Sequence, residues 1–129
     1  MEQIRAQGVD EPGTYAQCIR AGDILYLAGQ TAVDADGQIV GLGNVEVQAE
    51  FIWHQIGHIL RAAGADYPAI AKVTTYVLNM DDREVAMRIR AKHLGDHLAA
   101  STLVAVSALA RPEFLIEIEV TAVLEGESK

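Results

Sequence analysis

Two glutamates, Glu117 and Glu119, stand in the run Leu-Ile-Glu-Ile-Glu-Val. On a strand, residues two apart share a face, which puts these carboxylates roughly 7 Å apart. Like charges that close resist double ionisation, so one of the pair can hold a raised pKa and act as a general acid or base. The competing reading is a solvated polar face of an edge strand. A second chemical pattern is His54 and His58, spaced i, i+4 like metal ligands, with Glu50 four residues earlier. Position 55 is Gln, so the Glu that follows the first His of zinc proteases is missing. Both histidines fall opposite an apolar stripe, and the expectation is two surface residues and no metal. His93 shares a stripe with Val85, Ala86 and Ile89 and reads as a packing histidine, cut off from His97 by Gly95. Cys18 has no histidine near it in sequence and nothing to depress its thiol pKa. Gly41-x-Gly43 lacks the third glycine of a dinucleotide loop and reads as a turn. Phe51 and Trp53 widen an apolar stripe rather than form a stacking platform.

The elements that must position these groups follow from periodicity. Tyr15–Arg20 and Ile24–Gly29 read as strands joined by Ala21-Gly22-Asp23, a hairpin. Thr31–Val33 and Gln38–Val40 flank a turn with Asp36-Gly37 at its tip. Ile52, Ile56, Ile59, Leu60 and Ala63 make one stripe of a helix over about 45–63, with Asn44 as N-cap and Gly64 past its end. Ala69–Leu78 is rich in β-branched residues and reads as a strand. Asp81-x-x-Glu84 predicts a capping box for a second helix over about 82–94, with Glu84 and Arg88 paired along it. Ser101–Ala108 and Phe114–Leu124 close the pattern as a strand hairpin, and a polar tail, Glu125–Lys129, is expected to fray.

Each helix lies between strands at crossover length, so it should return the chain parallel to the preceding strand. The expected class is α+β: one mixed sheet with two helices on one face, in a single domain over residues 1–129. In the 69–78 strand, Ile70, Tyr76 and Leu78 should point one way and Ala71, Val73 and Val77 the other. Two helices cover one face only, so a second copy of the chain is the economical cover for the other. The formal net charge is −8, from 18 acidic and 10 basic residues, which disfavours a nucleic-acid partner. One cysteine, no apolar leader in MEQIRAQGVDEPG and no uncharged run near the ~20 residues of a membrane span lead to an expected cytoplasmic location and no membrane partner.

From Tyr15 to Leu124 the chain resembles the RidA/YjgF (L-PSP) family of reactive-intermediate deaminases. The resemblance is carried by Tyr15-Ala-Gln-Cys-Ile-Arg-Ala-Gly22, Leu25-Tyr-Leu-Ala-Gly-Gln30, Ala62-Ala-Gly-Ala65, Lys72-Val-Thr-Thr-Tyr-Val77, Met80-Asp-Asp82 and Leu115-Ile-Glu-Ile-Glu119. It implies a chorismate-mutase-like fold and a homotrimer with an inner barrel of sheets and clefts between subunits. It also implies cofactor-free hydrolysis of imines and enamines, such as 2-aminoacrylate, to a keto acid and ammonia. Residue by residue, Tyr15 and Glu119 take the family's catalytic positions, and Gly29 and Gln30 its Gly-Gln pair. The family's serine position holds Ala28, and the asparagine of the second helix falls at Met87. The family's substrate-anchoring arginine falls within Ala99–Thr102, where no arginine stands, leaving Ser101, Thr102 and Leu103 to line a less polar pocket. Losing that anchor costs a small imino acid roughly 1.5–3 kcal/mol. Arg111 is the next arginine downstream, and at ~3.3 Å per residue it is expected to lie too far along to serve the same pocket in one subunit. The implied activity is a hydrolase or deaminase for a small C–N metabolite, larger or less charged than 2-aminoacrylate. The alternative is a non-catalytic trimer that binds a small metabolite. Ribonuclease activity, sometimes attributed to the family, conflicts with the net charge.

Overall fold

A computed structural model describes residues 1–125, and the tail beyond Glu125 lies outside them. Six strands form one sheet: β1 Glu2–Ile4, β2 Cys18–Ala21, β3 Ile24–Leu27, β4 Ile70–Val77, β5 Ala100–Ala105 and β6 Ile116–Val123. Helices α1, Val45–Ala62, and α2, Arg83–Leu94, follow β3 and β4. Spatial order is β1-β2-β3-β6-β4-β5, with β4 and β5 parallel and the other neighbours antiparallel. Both crossovers thus return the chain in the direction it left, as their lengths require.

α1 starts where the sequence places it: the Asn44 side chain accepts from Val47 N at 3.1 Å. Gly64, at φ +84°, ends it in a conformation that L side chains rarely adopt. Ile52, Trp53, Ile56, Ile59 and Leu60 are fully buried against Val73, Val77, Ile116, Ile118 and Val120 of the sheet. The opposite sheet face carries Ile24, Tyr26, Lys72, Thr74, Tyr76, Val104, Glu117, Glu119, Thr121 and Val123, and among the described residues no helix covers it.

Four local expectations are corrected. β5 and β6 do not form a hairpin; β6 enters between β3 and β4, carried there by the loop 106–115. Ile116, Ile118, Val120 and Ala122 of this central strand are all buried on the face that joins the core under α1. The register of β4 shifts between Ile70 and Lys72, a bulge that turns Ile70 to the core side with Val73 and leaves Ala71 exposed. Asp81 caps nothing: Asn79 accepts from Asp81 N at 2.9 Å to start a 3-10 turn, and α2 follows with no side-chain cap. Arg88 reaches across to Glu46 on α1 rather than pairing with Glu84. The short edge strand β1 had no signal in a polar N-terminal segment.

Cys18 is fully buried in the core, and burial pushes its thiol up to about 11. It should therefore ignore an aqueous disulfide reagent in the native protein and react only as the chain unfolds. Fast stoichiometric labelling without denaturant would contradict that placement.

Candidate functional site

The sheet does not run evenly past β3. Tyr26 lies opposite Thr121, whereas Gln30 lies opposite Ile118, so four steps on one strand meet three on the other. The extra residue is a bulge at Ala28–Gly29 that re-aims the chain beside the start of β6. Gln30 N donates to Ile118 O at 2.8 Å and Ile118 N to Gln30 O at 3.1 Å, which closes the bulge. Gln30 Nε2 donates to Ala28 O at 2.9 Å, and Gln55 Nε2 of α1 donates to Gln30 Oε1 at 2.7 Å. Gln30 thus clamps the bulge, and it also lines a small recess with Tyr15 and Gly29.

The bulge leaves Gly29 against Glu117. A Cβ added at Gly29 would stand 2.0 Å from Glu117 Oε2, so only glycine leaves the carboxylate where it is. Around this pair lies a cleft of about 550 Å³. Tyr15, Ala28, Gly29 and Glu117 line it on the sheet side, Asp10, Glu11 and Pro12 on the N-terminal side, and Ala110, Arg111 and Phe114 on the loop before β6. Two buried glutamines hold the irregular walls. Gln17 accepts from Ala6 N at 2.8 Å and donates to Asp10 O at 3.1 Å. Gln48 donates to Glu113 O at 3.0 Å and Gly41 O at 3.1 Å and accepts from Leu115 N at 2.9 Å.

Glu117 is half-buried, and its pKa is raised, first by burial and then by the charge of Glu119. A carboxyl pushed up in this way is a stronger base than an ordinary glutamate. Tyr76, opposite Glu117, is likewise raised by burial and then by the charges of Glu119 and Glu117. Arg111 brings a guanidinium to the cleft, 5.6 Å over the Phe114 ring and 3.8 Å from Glu113.

The expected site residues are brought together only in part. Tyr15, Ala28 and Gly29 meet in the cleft. Glu119 does not line it; it is exposed on the open face, in a row with Thr74 and Thr102. Period-two alternation splits the other candidates: Thr102 faces that row and accepts from Lys72 Nζ at 2.5 Å, while Ser101 and Leu103 point to the helix side, where Arg90 holds the Ser101 hydroxyl. Met87 is half-buried on α2 and lines no part of the cleft. Arg111 lines the cleft beside Tyr15 and stays apart from Ser101, Thr102 and Leu103, because β6 crosses back next to β3 and brings the loop after β5 with it. Gln17, Gln48 and Gln55 carry no catalytic pattern in the sequence; the available signal is that Gln48 and Gln55 sit on the apolar stripe of α1, where a polar side chain must find buried partners.

His54 and His58 are exposed on α1 as expected, and His93 packs against Trp53 and Tyr67. Among the described residues no helix is long and apolar enough to cross a membrane.

Comparison with known proteins places this architecture. The family model described as endoribonuclease L-PSP matches residues 7–124. A RutC family protein of Pyrococcus horikoshii is 34% identical over 96% of this chain and 98% of its own length. Mouse 2-iminobutanoate/2-iminopropanoate deaminase is 33% identical over 86% of this chain and 82% of its own. Among solved structures, a Rid-family protein of unknown function from Yersinia pestis superposes with a TM-score of 0.90 at 29% identity, covering 95% and 98% of the two chains. The YjgF gene product of Escherichia coli gives 0.86 at 25% identity over 95% and 98%.

Proposed function

Since the chain belongs to the RidA/YjgF (L-PSP) family, we propose that it is a cofactor-free hydrolase that releases ammonia from a small imine, enamine or related C–N compound. The observation that carries the reading is Glu117, a half-buried carboxyl with a raised pKa facing a cleft shared with Tyr15 and Arg111. In this reading Glu117 takes a proton from water as its oxygen bonds to the imine carbon. The C=N electrons move to nitrogen, which is protonated in turn. The C–N bond then breaks, so that both water protons leave on ammonia and the oxygen stays as a ketone. The Tyr15 hydroxyl and the backbone of the Ala28–Gly29 bulge orient the reacting group. Glu119 acts from outside the cleft, through its charge on Glu117.

Relatives at this similarity include 2-iminobutanoate/2-iminopropanoate deaminases of mouse and human, at 33% and 30% identity. Positions 99–102 lack an arginine, and Arg111 offers a guanidinium from a different wall. Its place in a cleft of about 550 Å³ favours an acid longer than 2-aminoacrylate. We further propose that the working form is a homotrimer. Ile24, Tyr26, Val104 and Val123 are large apolar side chains exposed on the uncovered sheet face, and burying them supports self-association.

The test is ammonia release from a panel of 2-aminoacrylate, longer imino acids and neutral imines, with assembly followed by mass photometry. Longer imino acids should turn over fastest, and Arg111→Ala should slow them by about tenfold or more while sparing neutral imines. Release no faster than the uncatalysed reaction across the panel, with thermal-shift binding retained, would replace the hydrolase by the metabolite-binding reading. A stable monomer at micromolar concentration would remove the trimer.

A further inference from the structure

Where α1 packs on α2, away from the cleft, three side chains converge. Glu50 and His54 are one turn apart on α1, and His93 approaches from α2. The carboxylate oxygen and the two imidazole nitrogens all lie within 4.8 Å of one another. His93 Nε2 donates to Glu50 Oε1 at 2.5 Å, and the His54 and His93 rings meet edge to face with centroids 5.0 Å apart. Among the described residues this is the group of three whose ligating atoms come so close. The sequence pairing of His54 with His58 misses it, because the third partner is supplied by the second helix.

We propose that Glu50, His54 and His93 form a binding site for a divalent transition-metal ion, Zn²⁺ in the first instance. Two imidazoles and one carboxylate are a donor set that suits zinc, copper or nickel rather than magnesium or calcium. Tetrahedral zinc, with bonds of about 2.0–2.1 Å, needs its ligand atoms roughly 3.4 Å apart, so the widest pair must close by up to about 1.4 Å while the His93–Glu50 pair, at 2.5 Å, opens by about 0.9 Å. His54 is exposed, on the solvent side of the cluster. The two other ligands are already braced. His93 has a side chain only 9% exposed, held between Trp53 and Tyr67, with ring centroids at 6.2 and 5.8 Å. Glu50 is held by Lys92 Nζ at 2.6 Å on Oε2, which leaves Oε1 for the ion. Such outer contacts orient ligands at metal sites. Lys92 and His93 also keep the Glu50 carboxyl below its ordinary pKa, as the ionised ligand requires. Binding replaces the hydrogen bond that His93 now donates to Glu50 and leaves a fourth position for solvent. The ion would tie α1 to α2 on the outer layer of the fold.

The experiment uses the full chain, stripped with a chelator and titrated with Zn²⁺ alone by calorimetry. Trp53, the chain's one tryptophan, is stacked on His93, so its fluorescence under Cu²⁺ gives a second readout. The expected result is one ion per chain with saturation below ~100 µM. His54→Ala, at an exposed position that cannot unfold the core, should weaken binding at least ~10-fold, as should Glu50→Gln. His58→Ala, one turn further along but outside the cluster, should bind like the wild type. No saturable binding below ~100 µM, unchanged binding in His54→Ala, or an equal loss in His58→Ala would each overturn the site.

Discussion

Glu117→Gln should lower turnover of an imino acid by about 10²-fold or more, the usual scale for removing a general base, while the assembly stays intact. The substitution keeps size and hydrogen-bonding shape and removes only the proton-carrying group beside Gly29 and Tyr15. Glu119→Gln is the comparison. Glu119 lies on the open face and reaches the cleft only through its charge, so its loss should shift the pH–rate profile more than the maximal rate. A loss of the larger size in Glu119→Gln instead would return the catalytic role to the residue that family resemblance first indicated. Stability gives an independent reading. Burial first, and the charge of Glu119 second, raise the folded-state pKa of Glu117 above its unfolded value of about 4.3. The folded protein therefore holds that proton more tightly. The contribution of Glu117 to stability grows as pH falls through the raised value and levels off below the unfolded one. Glu117→Gln is neutral throughout, so it should lose this pH dependence and be no less stable than wild type near pH 7. Denaturant titrations across pH 4–8 measure both effects.

Gln48→Leu should destabilise the fold by about 3 kcal/mol, despite placing an apolar residue at a fully buried site. Gln48 satisfies the Leu115 amide and the Gly41 and Glu113 carbonyls at once. Leucine fills much the same volume but strands all three groups, each costing about 1–3 kcal/mol where water cannot reach it. The carbonyl partners are only part-buried, which keeps the sum near the lower end. Urea unfolding at one fixed protomer concentration should show a lower midpoint with an unchanged slope. The same bond anchors the chain just before Ile116 and Glu117, so turnover should fall as well, even where the variant is fully folded. A midpoint within experimental error of wild type would mean that water, not Gln48, satisfies these groups.

The cleft has a structural logic that explains why glutamine recurs in it. Its walls are loops: the N-terminal segment, the Ala28–Gly29 bulge and the chain entering β6. Loops carry unpaired backbone groups that must be satisfied where they are buried. Gln17, Gln30 with Gln55, and Gln48 each clamp one wall from within the core. This holds three irregular segments around one carboxyl without a helix or strand to fix them.

Local and periodic features were legible in the sequence because their causes are local. The stripe Ile52–Ile56–Ile59, the Asn44 cap and Gly64 bound α1 correctly, since caps and periodicity act within a turn or two. The β2–β3 hairpin and the parallel crossovers followed from turn chemistry and chain handedness. The extended match from Tyr15 to Leu124 carried the family and fold. What tertiary structure alone decided was which distant residues meet. Strand order placed β6 between β3 and β4, and this brought Arg111 to Tyr15 and separated both from Ser101, Thr102 and Leu103. A bulge at Ala28–Gly29, invisible without the partner register, chose Glu117 over Glu119 as the carboxyl in the cleft. Helix packing joined His93 to Glu50 and His54, 43 and 39 residues earlier in the sequence. Sequence spacing fixes neighbours along one element; register and packing between elements fix the rest, because their energy comes from burial summed over the whole sheet.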